Sequence, residues 1–312
     1  VMLLLPFGTL PVRIGFTPTF LDAALGAFLM VYLSQWMTGK RQNIQLTPIH
    51  VLVALYMMWL LLTFALGLRY ASPTSANLRQ FAETLLSISM VFILVDLMRD
   101  PVILRRLMLV VIIVIGIEAA VALVLYALPN MTAENLLVRL ARIGYPNGGV
   151  IRYVESNPAL SERAIGTWVD PNAFGGVLAV SAAMIAPQVF ARKPVLRYRW
   201  LTFGVLGIVT LSLILTFSRA SALAFAAGMM LIAVLRYRRF IPFIIVGSLL
   251  LLLLPQTQAY IDRFMQGFAG QDLATQMRIG EYTDALRLIS RYPIFGVGFT
   301  GTPENDIYTN AA

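Results

Sequence analysis

The sequence predicts an all-α fold, a polytopic bundle of transmembrane helices whose external loops carry amphipathic helices. Three observations predict it. Of 312 residues, 59% are hydrophobic and only 12% charged, with mean hydropathy +0.78, whereas a soluble domain carries roughly 25% charged residues. The apolar residues fall in repeated runs close to the roughly 20 residues that cross a bilayer core. Those runs are solidly apolar, while the strands of a membrane β-barrel would alternate apolar with polar positions.

Runs near residues 17–37, 47–67, 81–98, 107–128, 173–190, 200–217, 220–235 and 240–255 define eight spans. The loops between them alternate in character. "GKRQ" (39–42), "RDPVILRR" (99–106), "ARKPVLRYR" (191–199) and "RYRR" (236–239) are short and basic. The segments 69–80 and 129–172, the "SRAS" turn and everything after Pro255 form the other set. Basic loops collect on the cytoplasmic side, so the second set is expected outside. The same asymmetry absorbs the formal net charge of +9, which in a soluble chain would point to nucleic acid, and no nucleic-acid partner is expected. The opening "VMLLLPFG" has no basic n-region and reads as the end of a helix rather than a signal peptide. The closing "TPENDIYTNAA" is polar loop, so the sequence reads as a fragment truncated at both ends. The expected domains are a transmembrane part, 1–255, with a helix stub before its eight spans, and the start of a large external (periplasmic) loop, 256–312.

Two external segments are too long to be mere connectors. In 129–172, "AENLLVRLARIGY" has a helical pattern that "YPNGG" breaks. After Pro255, "TQMRIGEYTDALRLISRYP" predicts an amphipathic helix over about 275–291, stopped by Pro293. Met277, Tyr282, Ala285 and Ile289 form one stripe of it, which Arg278 extends. Arg278 is therefore expected to face the membrane domain, with Thr283, Asp284, Arg287 and Arg291 on the solvated side.

The charged residues with chemistry to offer are few. There is no cysteine and one histidine, His50, which leaves no disulfide framework, thiolate nucleophile or Cys/His metal cluster; neither a metal nor a cofactor is expected. Arg219 sits in "LILTFSRASALAF" between two apolar runs. An arginine at mid-membrane costs roughly 2.5–3.5 kcal/mol, so the tight turn is expected at the outer boundary, where the side chain can snorkel. Arg219 and Arg278, expected at the same outer face, present planar, permanently charged forks suited to phosphate. A lipid-linked pyrophosphate is the natural anion there; ordinary pairing with carboxylates or lipid headgroups is the competing expectation. In "GTWVDPNAFGG" (166–176), Asp170 and Pro171 suit the start of a helix, and Asp170 and Asn172 either cap it or contact a sugar. Glu118, inside an apolar run, is either a functional group or a packing residue. His50 reads as an interface residue, and "FGVGF" (295–299) as a tight turn rather than a phosphate loop.

"TWVDPNAFGGVLA", "LTFSRASALAF" and "QMRIGEYTDALRLISRYPIFGVGF", in this order, resemble the O-antigen ligase and O-antigen polymerase superfamily of bacterial membrane proteins. The resemblance implies a GT-C-like helical fold and a metal-independent, inverting glycosyltransferase. Such an enzyme moves a glycan from an undecaprenyl-pyrophosphate carrier to a glycan, lipid or protein acceptor outside the bacterial cytoplasmic membrane. It implies that Arg219 and Arg278 bind the pyrophosphate and stabilise the leaving group, and that a histidine later in the external loop is the base; the sequence stops at Ala312 before such a residue. The competing function classes are a transporter or flippase for lipid-linked glycans, with Glu118 as its intramembrane group, and a non-catalytic scaffold in envelope assembly.

Overall fold

The computed structural model describes residues 16–40, 47–238 and 273–299, together with Leu10, Ile241, Pro242, Met265, Ala269 and Gly270. Among these residues the chain is mostly helical, with connecting loops and one small hairpin. The helices are α1 (Phe20–Met37), α2 (Pro48–Gly67), α3 (Ser75–Leu97), α4 (Pro101–Ala127), α5 (Asn130–Val138), α6 (Pro171–Phe190), α7 (Arg199–Leu215), α8 (Arg219–Arg236) and α9 (Leu273–Arg291). Strands β1 (Arg152–Tyr153) and β2 (Glu162–Arg163) pair antiparallel. Six helices (α1, α2, α3, α4, α6 and α8) are long and apolar enough to cross a membrane, and α7 is a shorter apolar helix. The polytopic helical bundle is what the sequence predicts. The expected span 240–255 lies outside the described residues except for Ile241 and Pro242.

The helix starts follow local chemistry. Thr19 and Asp22 cap α1 reciprocally: Asp22 Oδ2 accepts from the Thr19 N–H at 2.7 Å, and Thr19 Oγ1 accepts from the Asp22 N–H at 3.1 Å. Thr74 Oγ1 accepts from the Asn77 N–H at 3.2 Å and starts α3 six residues before its apolar run. Asp100 Oδ1 accepts from the Val102 N–H at 2.8 Å, with Pro101 first in α4. The basic loop expected at 99–106 is thus mostly helix, and Arg105 and Arg106 ride on the first turns of α4. His50, in the first turn of α2, is buried. Its Nδ1 accepts from the Thr47 N–H at 3.0 Å, and its ring lies 5.5 Å from that of Phe92.

The fold comprises two compact units. The first holds residues 6–104 and 277–312. Here α3 packs against α1 and α2, and Tyr32, Met90 and Ile93 form a small core. The outer face of α2 stays uncovered by protein: Leu52 is 65% exposed and Met58 62%. A helix apolar all round, uncovered on one side, is built for lipid. "FGVGF" is the tight turn the sequence predicts, with Gly296 and Gly298 at φ +63° and +79°. Phe295 stacks on Trp59 at 5.2 Å, and a Cβ on Gly67 would meet the Gly298 backbone at 2.7 Å. Only glycines allow that approach.

The second unit holds residues 105–276. Its main core joins α4, α6 and α7 through Ile112, Ile115, Ala119, Phe174, Leu178, Ala182, Ile185, Val209 and Leu213. Helix α6 also packs along α8. Segment 129–172 is a folded cap with its own core, built from Leu125, Ala133, Leu137, Tyr145, Val150 and Ile165. The predicted helix inside it is α5 continued by a 3-10 turn, Arg139–Ile143, and ends at Gly144 in the left-handed conformation. The hairpin β1–β2 carries too few residues for its alternation to be read in the sequence.

Candidate functional site

Two of the sequence motifs meet in the second unit. Helix α6 begins at the "DPN" motif: Asp170 is its N-cap, its Oδ1 accepts from the Asn172 N–H at 2.9 Å, and Pro171 fills the first helical position. Helices α7 and α8 are joined by three residues, Thr216, Phe217 and Ser218, the tight turn expected at "TFSRAS". The two motifs touch. Ser221 Oγ donates to the Asn172 carbonyl at 3.5 Å, and Ser218 Oγ lies 2.9 Å from Ser221 Oγ. A Cβ on Gly175 would meet Ser221 Oγ at 2.8 Å and Thr216 Oγ1 at 3.0 Å. The glycine of "AFGG" is what lets the turn seat itself against α6.

The hairpin locks this junction from a third side. The Ala164 N–H donates to the Leu215 carbonyl at 2.8 Å. Arg163 Nε donates to the Thr216 carbonyl at 2.7 Å, and its Nη2 donates to Asn172 Oδ1 at 2.9 Å. Arg152, the direct cross-strand partner of Arg163, donates from Nε to the Val169 carbonyl at 3.4 Å. Backbone strain concentrates at the same place: Val169, one residue before the cap, has φ +62°, and Phe217, inside the turn, has φ +51°. A β-branched residue in that conformation is a genuine outlier, and such residues gather where the surroundings over-determine the backbone.

Arg219 opens α8, half-buried, and its Nη2 donates to Thr275 Oγ1 at 3.4 Å. The positive end of the helix dipole adds to its charge. Thr275 lies in the first turn of α9, three residues before Arg278. Arg278 itself belongs to the other compact unit and is exposed. The apolar stripe it extends is exposed too, with Met277 59%, Tyr282 65% and Ile289 59% accessible. Asp284 and Arg287 pair at 3.2 Å on the side expected to be solvated.

Below the junction, Glu118 of α4 is 1% exposed. Its Oε1 accepts from the Thr167 N–H at 2.7 Å and from Thr167 Oγ1 at 2.8 Å. This anchors the loop that leads to Asp170. Gly166, at φ +55°, brings that loop so close that a Cβ would sit 2.6 Å from Glu118 Oε1. Of the two readings open for Glu118, the contacts are those of a residue fixing packing. Tyr145, at the floor of the cap, is shifted strongly upward in pKa by burial, then by the Glu118 charge, with Arg152 opposing. Burial also raises Glu162 above the usual carboxylate value.

Sequence reasoning named Asp170, Asn172 and Arg219; it passed over Arg163. No periodicity could have paired Arg163 with Thr216, which lies 53 residues away. No curated protein and no solved structure matches the chain. Residues 203–311 match the family model described as O-antigen ligase, a match that spans α7, the strained turn, α8, α9 and the "FGVGF" turn. That match supports a membrane glycosyl-transfer role in O-antigen or lipopolysaccharide assembly, and with the apolar helices it points to a multi-pass protein of the bacterial inner membrane. Over residues 203–311 the chain is similar to the O-antigen ligase family.

Proposed function

We propose that the protein transfers a glycan from an undecaprenyl-pyrophosphate carrier to an acceptor hydroxyl on the outer side of the cytoplasmic membrane. Arg219 and Arg278 grip the diphosphate, while Asp170 and Asn172 shape the donor site. The observation that carries this reading is the junction in the second unit. A capped helix start and a strained turn meet there on two of the motifs that carry the resemblance, and Arg219 opens the helix that follows the turn. When the sugar–phosphate bond breaks, negative charge grows on the leaving diphosphate. Guanidinium groups already fixed around it stabilise that charge without reorganising. The match over 203–311 covers both Arg219 and Arg278. The acceptor attacks the anomeric carbon from the face opposite the carrier, so the product is inverted.

Transfer assayed in membranes containing the full-length protein tests this reading. Arg219→Ala and Arg278→Ala are each expected to lower kcat by about 100-fold or more, with membrane insertion unchanged. Activity within a few-fold of wild type in both variants would remove the diphosphate grip, and with it the proposed reaction.

A further inference from the structure

Arg163 ties three chain segments together: its own hairpin, the α7–α8 turn through the Thr216 carbonyl, and the start of α6 through Asn172 Oδ1. A guanidinium only donates, so the amide of Asn172 must turn its oxygen toward Arg163 and its Nδ2–H₂ group away. The other polar atoms of Asn172 are engaged. Its N–H donates to Asp170 Oδ1, and its carbonyl accepts from Ser221 Oγ. Nδ2–H₂ is therefore the group of Asn172 with no partner among the described residues, and the residue is exposed. Arg152 stands directly opposite Arg163 on the same face of the hairpin.

Building on the reading of this junction as the donor site, we propose that Arg163 is a positioning residue. It fixes the Asn172 amide so that Nδ2–H₂ donates to an oxygen of the lipid-linked donor. That oxygen belongs either to the diphosphate or to the first sugar. Arg163 acts through Asn172 and the turn, not by touching the donor.

Asn172→Asp separates this role from simple support of the fold. The carboxylate keeps its partner and makes the Arg163 contact an ion pair, but the outward donor becomes an acceptor. The expected result is a rise of about ten-fold or more in KM for the lipid-linked donor, the size of one hydrogen bond to a charged group, with kcat changed far less. Arg163→Lys cannot bridge two acceptors with one fork and is expected to raise KM in the same direction. Undecaprenyl pyrophosphate without sugar, used as an inhibitor, locates the oxygen. Weaker inhibition of Asn172→Asp assigns the diphosphate; unchanged inhibition with a raised KM assigns the sugar. A KM for Asn172→Asp within two-fold of wild type overturns the proposal, as does a pure loss of kcat. Arg219→Ala in the same assay keeps the two ideas apart: if it is inactive while Asn172→Asp is normal, only the role of Arg163 falls. If Arg219→Ala is itself normal, the donor-site reading falls.

Discussion

Glu118 shows how one residue can be decided by its hydrogen bonds. It lies in the most apolar of the spanning helices, where an ionisable group invites a transport or catalytic role. Yet its Oε1 is fully used in holding Thr167, and Oε2 is buried with no partner among the described residues. Glutamine keeps the acceptor and the volume. Glu118→Gln is therefore expected to retain glycan transfer and thermal stability. Glu118→Ala strands two donors and leaves a cavity, costing about 2–4 kcal/mol. Thermal unfolding in detergent with the transfer assay checks both expectations. A Glu118→Gln protein that folds normally but has lost uptake of a lipid-linked glycan into vesicles would instead revive the transporter reading.

At the scale of elements, the site exists because α6 and α8 come close, and Gly175 sets how close. A methyl group there meets Ser221 Oγ at 2.8 Å and Ser221 Cβ at 3.0 Å, in the first turn of α8 just after Phe217 with its positive φ. Gly175→Ala is expected to destabilise by about 1–3 kcal/mol through overpacking and to reduce transfer by shifting the turn that bears Arg219. Ser221→Gly removes the obstructing atoms, so the double variant is expected to recover part of the lost stability. A double-mutant cycle measures that coupling; additive effects would mean that the contact does not hold the turn.

The same elements show what the sequence could reveal. The spans were legible because burial in lipid imposes long apolar runs, and the caps at Asp170 and the turn at Phe217 were legible because their chemistry is local. The boundaries of α3 and α4 were not. Thr74 and Asp100 extend these helices through polar and basic residues that hydropathy assigns to loops. The hairpin and the clamp of Arg163 were also illegible, since both rest on contacts between residues distant in the chain. His50, isolated at a helix start, gave no sign that it would be buried and bonded to Thr47.

For the whole molecule, sidedness decides whether the reaction can occur at all, because a donor exposed outside is reached only from outside. Within the second unit, α6 has 20 residues and a length of roughly 30 Å, enough to cross the bilayer core. Across a bilayer its two ends would face opposite compartments. The hairpin bearing Ser161 is tied to the N-terminal end, while Lys193 follows the C-terminal end in a basic stretch. Basic loops collect in the cytoplasm, so under the proposed function the junction of Asp170, Asn172 and Arg219 is expected to face outward. These 312 residues hold no cysteine, so a single introduced cysteine is the one thiol among them. In intact cells, Ser161→Cys is expected to react with a membrane-impermeant maleimide, and Lys193→Cys only after the inner membrane is opened. The reverse pattern would put the site in the cytoplasm, where the arginines would face the compartment in which carrier-linked sugars are assembled rather than the one in which they are transferred.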